Sequence, residues 1–174
     1  MIKSITLAGA ATLLAFSGVT AAKAAGVNDA QIAHIAYTAG QIDIAAGKQA
    51  LAKSKSKAVR AFAQEMVRDH AAVNVQALAL VKKLHVTPQA NGTSAALSKG
   101  AAAELRILSR LHGAAFDRAY ARNEVAYHKT VNAALKDTLI PNAKNGELKS
   151  LLQAGLTLFS EHQTHAEHLA SSMR

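Results

Sequence analysis

A cysteine-free chain of 174 residues carries eight histidines and eleven acidic residues, and some of these sit on helix faces that are otherwise apolar. At about 100° per residue, His162 falls mid-stripe between Phe159 and Ala166, and His70 falls between Met66 and Val73. Asp43 lies among Ala39, Ile42 and Ala46, with Asp69 on the flank of the His70 stripe. Tyr120, Glu124 and Tyr127 share a face with Phe116 and Val131, while Asp117 and His128 lie along its border. Imidazoles and carboxylates turned toward an interior are ligands for iron, manganese, zinc or copper. Without a metal they form a hydrogen-bonded network that fixes helix register. An ionised Asp43 is too costly to bury alone, so the spacing predicts a cation or donor opposite it, with His70 or His162 the candidates.

The candidate ligands are therefore Asp43, His70, Glu124, His128 and His162, with Asp69, Asp117 and Tyr120 as supporting groups around them. The Glu-x-x-His signature of di-iron bundles is missing. Glu124 and His128 are four residues apart, as are Glu161 and His165, and the stripe puts Glu161 outside. His162, His165 and His168 spread over about 120° of arc, too open a surface to orient ligands well. No nucleophile elbow, phosphate loop, zinc-finger spacing or catalytic triad is present. Gly40 and Gly47 serve close helix packing, since no strand precedes them to make a phosphate loop.

The elements that must position these groups are helices. Pro88 and Pro141 are the only prolines, and both sit in stretches that read as loops, 85–94 and 140–146. Between them the chain is rich in Ala, Leu, Lys, Gln and Arg. The pattern predicts helix one over 29–53, helix two over 57–84, a short helix over 95–111, helix three over 114–139 and helix four over 147–171. Stripes such as Ile32, Ile35, Ala39, Ile42, Ala46 and Ala50, or Leu148, Leu151, Leu152, Phe159, Ala166 and Leu169, can be buried only against one another, which gives a bundle. Val67-x-x-His70-x-x-Val73-Asn74 returns as Val125-x-x-His128-x-x-Val131-Asn132, an echo expected of a bundle built from two helix pairs.

The first residues read as an address. Lys3, an apolar run from Ile5 to Val19, and Ala22-Lys23-Ala24 describe a secretory leader. The run is shorter than the about 20 residues that span a bilayer. Cleavage is expected after Ala24, with Ala25 second, which leaves one domain over 25–174 in the periplasm or cell envelope. Loss of Lys3 and Lys23 lowers the net charge of +9 by two. Export removes nucleic acid as a partner, and an aromatic share of 4% offers few platforms for bases. The basic balance instead suggests weak contact with anionic envelope surfaces, led by Lys53, Lys55, Lys57 and Arg60.

Phe62-Ala63-x-x-Met66-Val67-x-Asp69-His70, Phe116-Asp117-Arg118-Ala119-Tyr120, Glu124-Val125-x-x-His128 and Glu161-His162-x-x-x-Ala166 resemble the exported bacterial ferritin-like family catalogued as domain of unknown function 4142. Its members are often labelled predicted outer membrane proteins. The resemblance implies an all-α, ferritin-like four-helix bundle with an extra short helix before helix three. It also implies matched roles for Asp43, which stands where the family usually has glutamate, and for Asp69, His70, Asp117, Tyr120, His128 and His162. Two positions depart: Tyr127 stands where an aspartate would pair with His128, and Thr157 where a proline is common. The family has no agreed activity. The expected role is binding or stress protection without catalysis, the alternatives being a metal-binding bundle and a basic module on anionic surfaces.

Overall fold

A computed structural model describes residues 26–173, so the expected leader and its cleavage site lie outside the described residues. Helix α1 (Asp29–Lys53) starts at Asn28, whose side chain accepts from the Gln31 backbone while the Gln31 side chain returns to the Asn28 N–H. The two exchanged bonds satisfy donors that a helix start otherwise strands. Helix α2 (Lys57–Lys83) is capped by Ser56, α3 (Gly92–Ser109) by Asn91 and α6 (Gly146–Ser171) by Asn145. Helix α4 (Gly113–Ala134) runs on through a π-helical segment, Leu135–Leu139, into a final turn, α5 (Ile140–Asn142).

That continuation corrects the expectation that the chain becomes a loop at Ile140 and Pro141. Proline has no N–H, and its ring collides with the carbonyl four residues back in a regular helix. The wider π turn lets the Ile140 N–H reach Leu135 O, and the chain stays helical to Asn142 before leaving at Ala143. Helix α3 likewise begins at Gly92 instead of Ala95, because Asn91 provides a cap.

The described residues form an all-helical bundle without a strand, and none of their helices is long and apolar enough to cross a membrane. Helix α1 is the most enclosed element. It packs on α2, α3, α4 and α6, while α4 pairs with α6 and α2 closes against α6. Helix α3 covers the outer side of α1, held by Gln49 Nε2 on Leu105 O at 3.0 Å and Lys53 Nζ on Ser109 O at 2.8 Å. The expected α1 stripe is therefore incomplete. Ala33 and Ile44 are buried as well, and Ile42 is only half-buried. Toward the end of α2 and at its cap, the apolar residues Val73, Ala77, Leu80 and Leu84 are only half-buried.

Small residues set the α1–α2 spacing. A Cβ on Gly47 would lie 2.9 Å from Val67 Cγ2 and 3.1 Å from the Ala63 carbonyl oxygen, and one on Gly40 would meet the Asn74 amide. Gly47→Ala must push backbone against backbone. It is expected to lower stability by about 1–2 kcal/mol, overpacking outweighing the helix propensity gained, read as a lower urea midpoint at unchanged m.

The apolar core is in two parts. One contains Ala50, Val59, Met66, Phe116, Tyr120 and Ala166, and the other Ile32, Ile35, Leu135, Leu148, Leu152 and Phe159. Each of α1, α2, α4 and α6 passes from one part to the other, and the residues at the crossing are Asp43, His70, Glu124 with His128, and His162. The polar residues thus form one layer across the bundle, between two apolar plugs.

Candidate metal centre

Helix α1 contributes Asp43, α2 contributes His70, α4 contributes Glu124 and His128 one turn apart, and α6 contributes His162. Each of the five is at most 2% exposed. His128 is thus a correction: it was expected at a border and is fully interior, because α4 is covered by both α1 and α6. The three imidazoles pack as a near-equilateral triangle, with ring centroids 5.4 Å (His70–His162), 5.5 Å (His128–His162) and 5.8 Å (His70–His128) apart. Phe159 stacks on His70 at 4.4 Å and 16°, fixing its ring plane.

Two sets of potential ligand atoms, each drawn together within 4.8 Å, overlap here. One is His70, His128 and His162, and the other Asp43, Glu124 and His128. Asp43 Oδ2 is the meeting point, 3.1 Å from His70 Nε2 and 3.3 Å from His128 Nε2. The expected partnership of Asp43 with His70 is present, whereas His162 faces Asp69 instead, Nε2 to Oδ2 at 3.1 Å. The two histidines of the sequence echo converge on a single carboxylate oxygen.

Tautomers follow from the partners. His128 Nδ1 is 3.0 Å from the Glu124 carbonyl oxygen, which can only accept, so Nδ1 carries the hydrogen. Burial holds the His128 pKa below the usual 6.5 despite the pull of Asp43. In the neutral ring that burial favours, Nε2 presents a lone pair to Asp43 Oδ2. His162 repeats the arrangement. Asp69 is kept ionised, its pKa lowered first by hydrogen bonds from Arg68, so it accepts from His162 Nε2–H. That leaves the His162 Nδ1 lone pair in the interior without a partner. Among the described residues, neither Asp43 oxygen, neither His70 nitrogen, nor Tyr120 Oη, Glu124 Oε2 or His128 Nε2 has an aligned hydrogen-bond partner. Such atoms are rare in folded proteins, and each costs about 1–3 kcal/mol to leave unmade.

Electrostatics divides the two interior carboxylates. Burial raises the Asp43 pKa, but His70, His128 and His162 together pull it below 3.8. Glu124 is pushed well above 4.5, by burial first and by the neighbouring Asp43 charge second. Tyr120 is raised well above 10 by burial and by Glu124 and Asp43. Two opposed proton linkages therefore act on the stability of the metal-free protein. Below pH 6.5 the unfolded chain takes up protons that His128 and His162 refuse when folded, so acid destabilises. As pH rises from 4.5 toward the folded Glu124 value, the unfolded chain has already released a proton that the folded one holds, so this group's contribution is lost with rising pH. Urea midpoints from pH 5 to 9 check both linkages.

Of the supporting groups, Asp69 orients His162, and Tyr120 is fully buried in the apolar plug, edge-on to Phe62 at 6.2 Å. Asp117 is half-buried with Oδ1 unpartnered, and nothing brings it to the cluster. Tyr127, in the aspartate's place, donates to the Ala39 carbonyl at 2.7 Å, tying α4 to α1 beside the site. Glu161 and His168 are exposed, as their place on the stripe required. Sequence reasoning missed Glu65 and Arg68. Glu65 pairs with His165 at 3.1 Å, and Arg68 grips Asp69 at 2.6 and 2.9 Å. Their acidic and basic types gave no sign of which helix they would face.

Fold and site together define an all-helical bundle protein with a buried histidine–carboxylate layer. The family described as Domain of unknown function (DUF4142) matches residues 15–169, and the chain belongs to it. Comparison with curated proteins and with solved structures gives no match.

Proposed function

We propose that this protein is an exported, ferritin-like four-helix bundle that binds a first-row transition metal between its helices, with Asp43, His70, His128 and His162 as ligands and Glu124 beside them. The observation that carries the reading is His128. Its Nδ1–H is held by a carbonyl, so its Nε2 lone pair points at a carboxylate oxygen 3.3 Å away. With the ring neutral, two acceptors face each other there, and a proton or a metal cation between them relieves the repulsion. Zinc–nitrogen bonds of about 2.0–2.1 Å give tetrahedron edges of about 3.3–3.4 Å, close to the 3.1 and 3.3 Å from Asp43 to His70 and His128. Ligand histidines characteristically give their other N–H to a carbonyl or carboxylate. The Glu124 carbonyl does this for His128, and the Asp69 carboxylate orients His162 through its Nε2.

Imidazole-rich sets without thiolate suit zinc, iron, copper or manganese, and disfavour magnesium and calcium. A bound metal of this kind supplies Lewis acidity and, for all but zinc, one-electron chemistry. Asp43, His70, His128 and His162 would hold it in a layer buried from solvent, and neither of two surface cavities, one lined by Gln76, Leu80 and Leu151 and one by Asp29, Val81 and Leu148, includes a residue of that layer. The arrangement favours holding a metal in the envelope over turning over a substrate. Contact with anionic surfaces is the weaker reading, because two of its four cations are engaged internally. Lys53 binds Ser109 O and lies over Phe116, and Arg60 caps the carbonyls of Leu51 and Ser54.

Equilibrium dialysis of the chelator-treated protein against each metal tests the reading. About one ion per chain is expected, with free metal at a hundred times Kd adding about 2.7 kcal/mol of stability, a rise of roughly 5–10 °C in Tm. A protein that stays empty and unshifted with all four metals removes the proposal.

A further inference from the structure

The interior layer has a partly exposed neighbour on the α2–α6 face. Glu65, Asp69 and His162 bring ligand atoms within 4.8 Å of one another, and His165 sits on Glu65 at 3.1 Å. The side chains grade inward: His165 is 54% exposed, Glu65 27%, Asp69 15% and His162 1%. His162 belongs to this group and to the inner triangle alike. Its Nε2 lies on Asp69 and its Nδ1 is unpartnered in the interior. Carboxylates and imidazoles stepping from solvent to a shared histidine form a graded series of oxygen and nitrogen ligands. Arg68, 71% exposed in its side chain, occupies the Asp69 carboxylate from outside. It is a cation on a flexible stem that an arriving metal can displace.

We infer that Glu65, Asp69 and His162 form a second, transient divalent-metal site, the loading port through which the buried site is filled, with His165 steering at its rim and Arg68 as a competing cation. The inference rests on the proposed metal function. When a cation takes His162 Nε2, the proton there leaves to solvent, and Arg68 yields Asp69. Movement inward then transfers the cation from Nε2 to the Nδ1 lone pair of the shared imidazole, while Nε2 takes back a proton from solvent and donates to Asp69 again. Port and interior differ in what they control: the port sets the rate of filling, and the inner ligands set the final affinity.

Stopped-flow uptake of Co²⁺ by the full chain, followed in the visible d–d bands, tests this in Glu65→Gln, in Arg68→Ala and in the unaltered protein. Neither substituted residue belongs to the inner set. Glu65→Gln is expected to fill about tenfold more slowly to the same final spectrum and occupancy. Arg68→Ala should fill faster at the same endpoint. Filling of Glu65→Gln at the unaltered rate, or slower filling of Arg68→Ala, overturns the port while leaving the inner site standing. An unaltered protein that develops no Co²⁺ spectrum and stays empty with iron, manganese, zinc and copper overturns the metal function and the port with it. Circular dichroism confirms that each variant keeps its helices.

Discussion

A His70→Ala, His162→Ala double variant will emerge from purification without metal while retaining its helical circular dichroism. Each substitution removes one corner of the imidazole triangle, leaving Asp43, Glu124 and His128 as the only interior ligands. Three residues including a protonated Glu124 cannot replace four converging ones, so occupancy collapses instead of declining. The helices survive because the two apolar plugs on either side of the layer, around Met66 and Phe116 and around Ile32 and Leu152, do not depend on it. The vacated His70 position beside Phe159 costs about 2–4 kcal/mol as a cavity, partly offset because both nitrogens of His70 lacked hydrogen-bond partners. A His34→Ala control, half-buried and outside the layer, keeps its metal. The same double variant distinguishes a metal site from a metal-free polar network, for which elemental content would be zero before and after substitution.

The second large effect separates the two carboxylates. Glu124 holds a proton in the metal-free protein because burial and the Asp43 charge oppose its ionisation. Glutamine has the same shape and no charge, so Glu124→Gln should change metal-free stability by no more than about 1 kcal/mol at pH 4.5 and below, where the unfolded glutamate is protonated as well. Above that pH it should abolish the loss of stability that comes from the proton Glu124 holds, so the variant becomes the more stable protein as pH rises. Asp43 is ionised and faces two imidazoles, so Asp43→Asn removes the charge at the point where the ligands meet. Even outer partners of metal ligands cost 10–100-fold in affinity. Asp43→Asn should therefore weaken metal binding by at least about 100-fold, whereas its metal-free form remains folded. Titration calorimetry for affinity and urea melts for stability read the two effects separately, and equal losses in both variants would refute the division of roles.

The interior positions of Asp43, His70 and His162 were legible in the sequence because each sits in the middle of an apolar stripe. A residue with an apolar or small neighbour three or four positions away on each side is turned inward with its stripe. His128 was misplaced because α4 buries a wider face than its few large apolar residues mark, with α1 and α6 both covering it. Partners across helices were beyond reach for a different reason. Whether Asp43 meets His128 or His162 depends on rotations of a few tens of degrees about the helix axes, which hydrophobic spacing does not resolve. The Glu65–His165 and Asp69–His162 pairs are contacts of the same kind, set by how α2 lies on α6. At Pro141 a stop signal was read where the chain instead widens into a π turn, since sequence marks the missing N–H but not how the preceding turn absorbs it.

On the proposed function, the layer of Asp43, His70, His128 and His162 holds a metal in the protein's own compartment. Elemental analysis of the protein purified without chelators from that compartment tests it most directly. A buried metal site requires close to one iron, manganese, zinc or copper per chain, lost in the double histidine variant. Protein that is metal-free as isolated, and that takes up none of these ions on reconstitution, would contradict it.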